Sequence, residues 1–210
     1  MKQSFLTSLL LTLAAAWMLG SCHIDGTSYN ADEAKGYAEA VKLIMRNVDL
    51  DSYKIYEMKF ETSRPEGNKL ETVTVKMVSD VNKAYSQKFM LTGAQVVFPV
   101  EGIPHAFDSP LFEEVKGIDL KAFDAKQIEA QVTKAKALVP KEGKFQAVYN
   151  YCISETVPTA NELEAGFDKW GEQHTSFLMS FSQKTPDGKK GYVEVGVVVD
   201  EQGEVKLNID

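Results

Sequence analysis

The stretch Gly36-Tyr37-Ala38-Glu39-Ala40-Val41-Lys42-Leu43-Ile44-Met45-Arg46-Asn47-Val48 decides the fold. Its residues Tyr37, Val41, Ile44 and Val48 are spaced by 4, 3 and 4 positions, which lines one face of an α-helix. Ile128, Val132, Ala135 and Val139 repeat those spacings 91 positions later. Asn30 with Asp32 and Glu33 forms a start signal for the first helix, and Asp124 with Gln127 a capping-box-like start for the second. The offset carries into the next segments: Tyr56, Met58 and Phe60 alternate with Glu57, Lys59 and Glu61 as in a half-buried strand, and 91 residues on stand Ala147, Tyr149 and Tyr151.

Beyond these strands the order of elements is the same in both halves. In the first, a turn at Arg64-Pro65-Glu66-Gly67-Asn68 leads to strands over 70–78 and 84–91, and a last strand over 94–100 follows Gly93. In the second, an excursion from Glu155 to Gln173 precedes a strand with Phe177, Met179 and Phe181 on one side. The turn signal Pro186-Asp187-Gly188 then leads to Val193, Val195, Val197 and Val199 in alternation and a final strand over 204–209. The pattern predicts an α+β fold of two tandem repeats, each a helix and a four-stranded antiparallel sheet, over 31–100 and 124–210, joined by an ordered linker over 101–123.

One face of each sheet is then left for water or a partner. Glu57, Lys59 and Glu61 make the first outer face polar, whereas alternation assigns Val148 and Cys152 to the second. The excursion carries Leu163, Phe167 and Trp170 at helical spacing, so it reads as a cover for that face. Phe167 and Trp170 are also the candidate partner-binding residues, as an exposed aromatic anchor.

At the N-terminus, Lys2 is followed by an apolar run from Phe5, ending in Leu19-Gly20-Ser21-Cys22. Phe5 to Leu19 counts 15 residues with Ser8 and Thr12 inside, short of the roughly 20 that a membrane-spanning helix needs. Ala14-Ala15-Ala16 offers an ordinary signal-cleavage site, but one that strands Trp17-Met18-Leu19 on the mature chain. The segment resembles a bacterial lipobox. That resemblance implies a signal peptide over 1–21, lipidation of Cys22 as the new N-terminus, and attachment to the membrane through acyl chains, two or more of which anchor stably. Residues 22–30, rich in turn formers, read as a short tether.

Without residues 1–21 the chain carries 22 basic and 30 acidic side chains. An anionic body of this kind argues against nucleic-acid binding, which draws on clustered Lys and Arg. Cys152 has no intrachain partner once Cys22 is lipidated, so no disulfide framework is expected. The histidines His23, His105 and His174 lack the spacing of a zinc site. Nucleophile elbows, phosphate loops and calcium loops are likewise missing, so no metal, cofactor or catalytic residue is assigned.

The order of elements loosely resembles the tandem helix-plus-four-strand proteins typified by the β-lactamase-inhibitor protein and the PepSY-like domains, in lipoproteins similar to those of gut Bacteroidetes. It is a likeness of order without a signature motif. It departs from the inhibitor in lacking disulfides, so no contact residue carries over. The resulting expectation is a lipid-anchored, non-enzymatic binding or inhibitory module of the bacterial cell envelope, at the outer membrane and facing periplasm or surface. Its partner would be a protein or an extracellular polymer. The alternatives are a carrier of a small apolar ligand held between helix and sheet, and a hydrolase using His105, His174 or Cys152.

Overall fold

The computed structural model describes residues 28–62, 67–104, 109–139, 143–158, 170–185 and 187–208. The chain enters through β1 (Tyr29–Asn30) and α1 (Ala34–Asn47), then runs β2 (Tyr53–Thr62), β3 (Lys69–Ser79), β4 (Ala84–Met90) and β5 (Glu101–Gly102). After α2 (Ala125–Leu138) come β6 (Lys144–Glu155), β7 (Gln173–Lys184), β8 (Lys190–Val199) and β9 (Val205–Asn208). All nine strands form one antiparallel sheet in the order β5-β4-β3-β2-β6-β7-β8-β9, with β1 beside β3.

This corrects the expected fold class. The protein is mainly β, with a single nine-stranded sheet and two 14-residue helices, where an α+β fold of two helix-plus-sheet repeats was predicted. The reason lies in one pairing. β2 and β6, each the first long strand after its helix, run side by side with Phe60 opposite Tyr151 and Lys59 opposite Cys152. Alternation along a strand specifies which residues face the core, but it is the same for a free edge and a paired one.

The helices lie on one face of the sheet. Tyr37, Ala40, Val41 and Ile44 of α1 and Ile128, Val132 and Ala135 of α2 join Met58, Phe60, Val73, Val75, Tyr151, Phe177 and Met179 in one core. Aromatic rings bridge the β2–β6 seam: Tyr37 stands edge-on to Phe60 at 4.9 Å and to Tyr151 at 5.6 Å, and Tyr151 stacks on Phe177 at 5.2 Å. α2 starts as expected, with Asp124 Oδ1 accepting from Lys126 N at 2.9 Å. α1 is capped across the molecule, its Ala34 N donating to Glu129 Oε2 of α2 at 2.9 Å. Nearby, Asp32 accepts from Asn68 and pairs with Lys136 of α2 at 2.5 Å, so one carboxylate ties the chain entry to both halves.

Strict alternation fails at four register shifts in β2 and β6, and two of them bear on the faces expected from the sequence. In β2 the register slips between Ile55 and Glu57, so Ile55 faces the helices and Tyr56 instead packs with Val78 and Val115 in a second cluster. In β6 it slips between Val148 and Asn150, which turns Val148 into the core beside Met179 and leaves Asn150 and Cys152 in line on the far side. The outer face of the second half therefore mixes Asn150 and Ser176 with Cys152, Leu178 and Val198, and Val148 does not share it with Cys152.

The strand expected over 94–100 is also corrected. It is reduced to a bridge between Val97 and Phe89, flanked by Met90 N donating to Val96 O and Phe98 N to Lys88 O, and regular pairing resumes only at β5. Gln95 sits at φ +50° and Pro99 has no N–H to give, so a continuous ladder cannot form here.

Candidate functional site

The sheet face opposite the helices gathers charged, polar and apolar side chains from neighbouring strands. Successive rows cross it: Ser86, Lys76, Glu57 and Ser154; then Lys88, Thr74, Lys59, Cys152, Ser176 and Val198; then Thr72, Glu61, Asn150, Leu178, Gly196 and Asn208. The central residues line an open trough of about 670 Å³. Gly196 leaves its floor low: a Cβ there would stand 3.3 Å from Asn208 Cβ. The charges are compensated locally, Lys76 Nζ lying 3.0 Å from Glu57 Oε2 and Lys59 Nζ 2.7 Å from Glu61 Oε1. Such half-exposed pairs contribute little to stability but fix an alternating charge pattern on the surface.

Cys152 lies in the floor of this trough. Burial, with Glu57 beside it, pushes its thiol up to about 11 against the partial opposition of Lys76 and Lys59. A nucleophilic cysteine needs the opposite shift, toward thiolate. His174 shares this face two residues further along β7, and its Nε2 lies 2.7 Å from Thr156 Oγ1. The geometry therefore pairs His174 with a threonine hydroxyl and leaves Cys152 among acid and lysine side chains.

Trp170 stands, half-buried, in the turn that leads into β7, where Thr156 N donates to Glu172 O and Gly171 N to Thr156 O, both at 2.9 Å. Its expected companion Phe167, like Cys22 and His105, lies outside the described residues. The predicted aromatic pair is thus seen only in part.

Sequence reasoning missed the residues that fasten 109–123 across the ends of β2 and β6. Glu155, 5 % exposed, accepts from Lys116 N at 2.8 Å and Gly117 N at 2.7 Å. Lys54 donates to Phe112 O at 2.8 Å and lies over the Phe112 ring, and Ile118 N donates to Ile55 O at 2.7 Å. A glutamate closing a strand gives no local signal of such a role. Among the described residues no group of three or more His, Cys, Asp or Glu is placed to hold a metal ion, and no helix is long and apolar enough to cross a membrane.

No family model, curated protein or solved structure matches this chain. The functional reading therefore rests on its own geometry.

Proposed function

We propose that the protein is a lipid-anchored, non-enzymatic binding module of the bacterial cell envelope, held to the membrane through Cys22, which grips a protein partner on the open face of its sheet. The observation that carries the reading is the trough itself: six neighbouring strands present the ion pairs of β2 and β3 beside hydroxyls, amides and the apolar Leu178 and Val198 on one wide surface that the helices leave uncovered. An extended polymer of sugars calls for exposed aromatic platforms, whereas among the described residues the one aromatic lining the trough, Phe177, has its side chain buried in the helix-side core. A protein surface with its own mixed charges can complement alternating Glu57, Lys59, Glu61 and Lys76, and such complementarity sets register and excludes wrong partners. The protonated Cys152 thiol and the engaged His174 favour this reading over a hydrolase.

The test places a photo-crosslinking residue at Thr74 or Ser176, on the outer face, and at Lys42, on the helix side, in the full chain expressed in cells. The same discrete protein adduct from the two outer positions and none from Lys42 is the expected result. Adducts from Lys42 alone, or none from the outer face, would overturn it. The anchor is tested separately by the intact mass of the native protein, which should carry acyl chains on a chain beginning at Cys22.

A further inference from the structure

A cavity of about 250 Å³ opens between α2 and the helix-side face of β6 and β7, independent of the trough on the opposite face. Its walls combine Ile118, Phe123, Ile128 and Ile153 with polar side chains from α2, β6 and β7. At its depth Tyr151, 2 % exposed, accepts from the Thr175 hydroxyl and donates to Gln131 Oε1. Gln131 is itself 7 % exposed and lines the cavity wall beside Tyr151. A carboxamide in the cavity wall offers hydrogen-bonding groups to an occupant.

The chemistry of the occupant follows from what lines each depth. The inner groups are neutral hydroxyls and amides, and no lysine or arginine among the described residues lines the cavity, so a carboxylate or phosphate pushed inside would be desolvated without a counter-charge from them. Toward the mouth stand exposed Asp119 and Asp124, each spending one oxygen on backbone N–H groups: Asp119 Oδ1 accepts from Lys121 N at 2.8 Å, and Asp124 Oδ1 from Lys126 N. Their second oxygens are left to accept from a ligand, together with the amides of Gln127 and Gln173. The half-buried Phe123 supplies an apolar wall. The space holds roughly eight waters at ~30 Å³ each and is smaller than the ~300–1,000 Å³ of pockets for drug-sized ligands.

We infer that this cavity is a binding site for a small uncharged polyhydroxyl ligand of the size of one sugar ring, its hydroxyls meeting Gln131, Gln127 and the aspartate oxygens while its less polar face lies against Phe123. The site bears the amide-and-hydroxyl lining of a polar ligand pocket, in place of the apolar chamber between helix and sheet that a carrier of apolar molecules would need.

Saturation-transfer NMR on the full protein, with glucose, galactose and N-acetylglucosamine as neutral probes and glucuronate and glucosamine as charged counterparts, tests the assignment. At least one neutral probe should receive saturation at millimolar concentration, with glucuronate silent. Gln131→Leu should weaken that binding at least tenfold. Ala122→Phe, which adds bulk at the mouth on an exposed position and spares the Tyr151 hydrogen bonds, should abolish it in a protein with wild-type thermal unfolding. If Gln131→Leu fails to fold, the Ala122→Phe result decides. Silence of all three neutral probes, stronger binding of a charged counterpart, or binding unchanged by Ala122→Phe would each overturn the proposal.

Discussion

The two helices have the same length and the same apolar stripe, yet they meet the sheet differently. α1 seals it: Tyr37, Ala40 and Ile44 are all at 0 % exposure. α2 stands over a cavity. At the position 91 residues after Ala40 the second helix carries Gln131, and after Ile44 it carries the smaller Ala135. On the turn matching the methyl group of Ala40, the carboxamide of Gln131 lines that cavity.

Phe60 bears on both regions, because its ring meets Tyr37 of α1, Tyr151 of β6 and Phe123 ahead of α2. Phe60→Ala should destabilise the protein by about 3–5 kcal/mol in urea denaturation. Because the seam strands belong to one sheet, unfolding should remain a single transition. Two transitions would mean that the halves on either side of the seam are separate folding units.

Exchanging the distinguishing residues sharpens the contrast. Ala40→Gln forces extra volume and an amide into a site with no free space, overpacking and desolvation together costing about 2–5 kcal/mol. Gln131→Ala should cost only about 1 kcal/mol, since the Tyr151 hydroxyl keeps Thr175 and the cavity admits water to replace the lost acceptor. Equal losses in the two variants would show that α2 is packed as tightly as α1.

Glu155 tests how far the cavity side depends on segment 109–123, which supplies Ile118 and Asp119 to its wall. Glu155→Ala leaves Lys116 N and Gly117 N without their carboxylate and should cost about 2–3 kcal/mol. Glu155→Gln, which retains one acceptor oxygen, should recover roughly half of that. Equal effects of the two substitutions would remove the two-pronged anchor from the account.

The contrast between the helices was partly legible in the residues. The stripes at 37–48 and 128–139 and the alternation at 177–181 are periodic signals that burial enforces directly and mark core residues observed here, whereas of the alternation at 193–199 Val197 is buried, Val195 and Val199 are partly so and Val193 is exposed. The seam was not legible, because pairing of β2 with β6 depends on which edge meets which, while the alternation of Met58 and Phe60 with Lys59 and Glu61 is the same for a strand at an edge or at the centre. Tyr56 and Tyr149 misled for a related reason: a bulge inserts one residue without any break in composition, and every side chain beyond it changes face. The polar trough was half legible, through Glu57, Lys59 and Glu61. The cavity went unread because Gln131 looks like an ordinary solvated helix residue until Tyr151 is set opposite it.

The smallest expected effect compares the two faces of the seam at adjacent residues of β6, Tyr151 inside and Cys152 outside. Burial raises the pKa of both, pushing Cys152 up to about 11 from 9.0. A thiol whose folded-state value is raised favours the native state while protonated. Its contribution is therefore complete below about pH 9 and is lost as pH climbs through 11. Urea midpoints measured from pH 8.5 to 11 should fall less steeply in Cys152→Ser than in the wild type, while the raised Tyr37, Tyr56 and Tyr151 maintain a common downward slope in both. At neutral pH the same thiol should react with iodoacetamide roughly tenfold or more slowly than a free cysteine, because little thiolate is present. Parallel slopes with and without Cys152, or alkylation at the rate of a free thiol, would mean that the trough floor is as open to water as its rim and that only the helix side of the seam is protected.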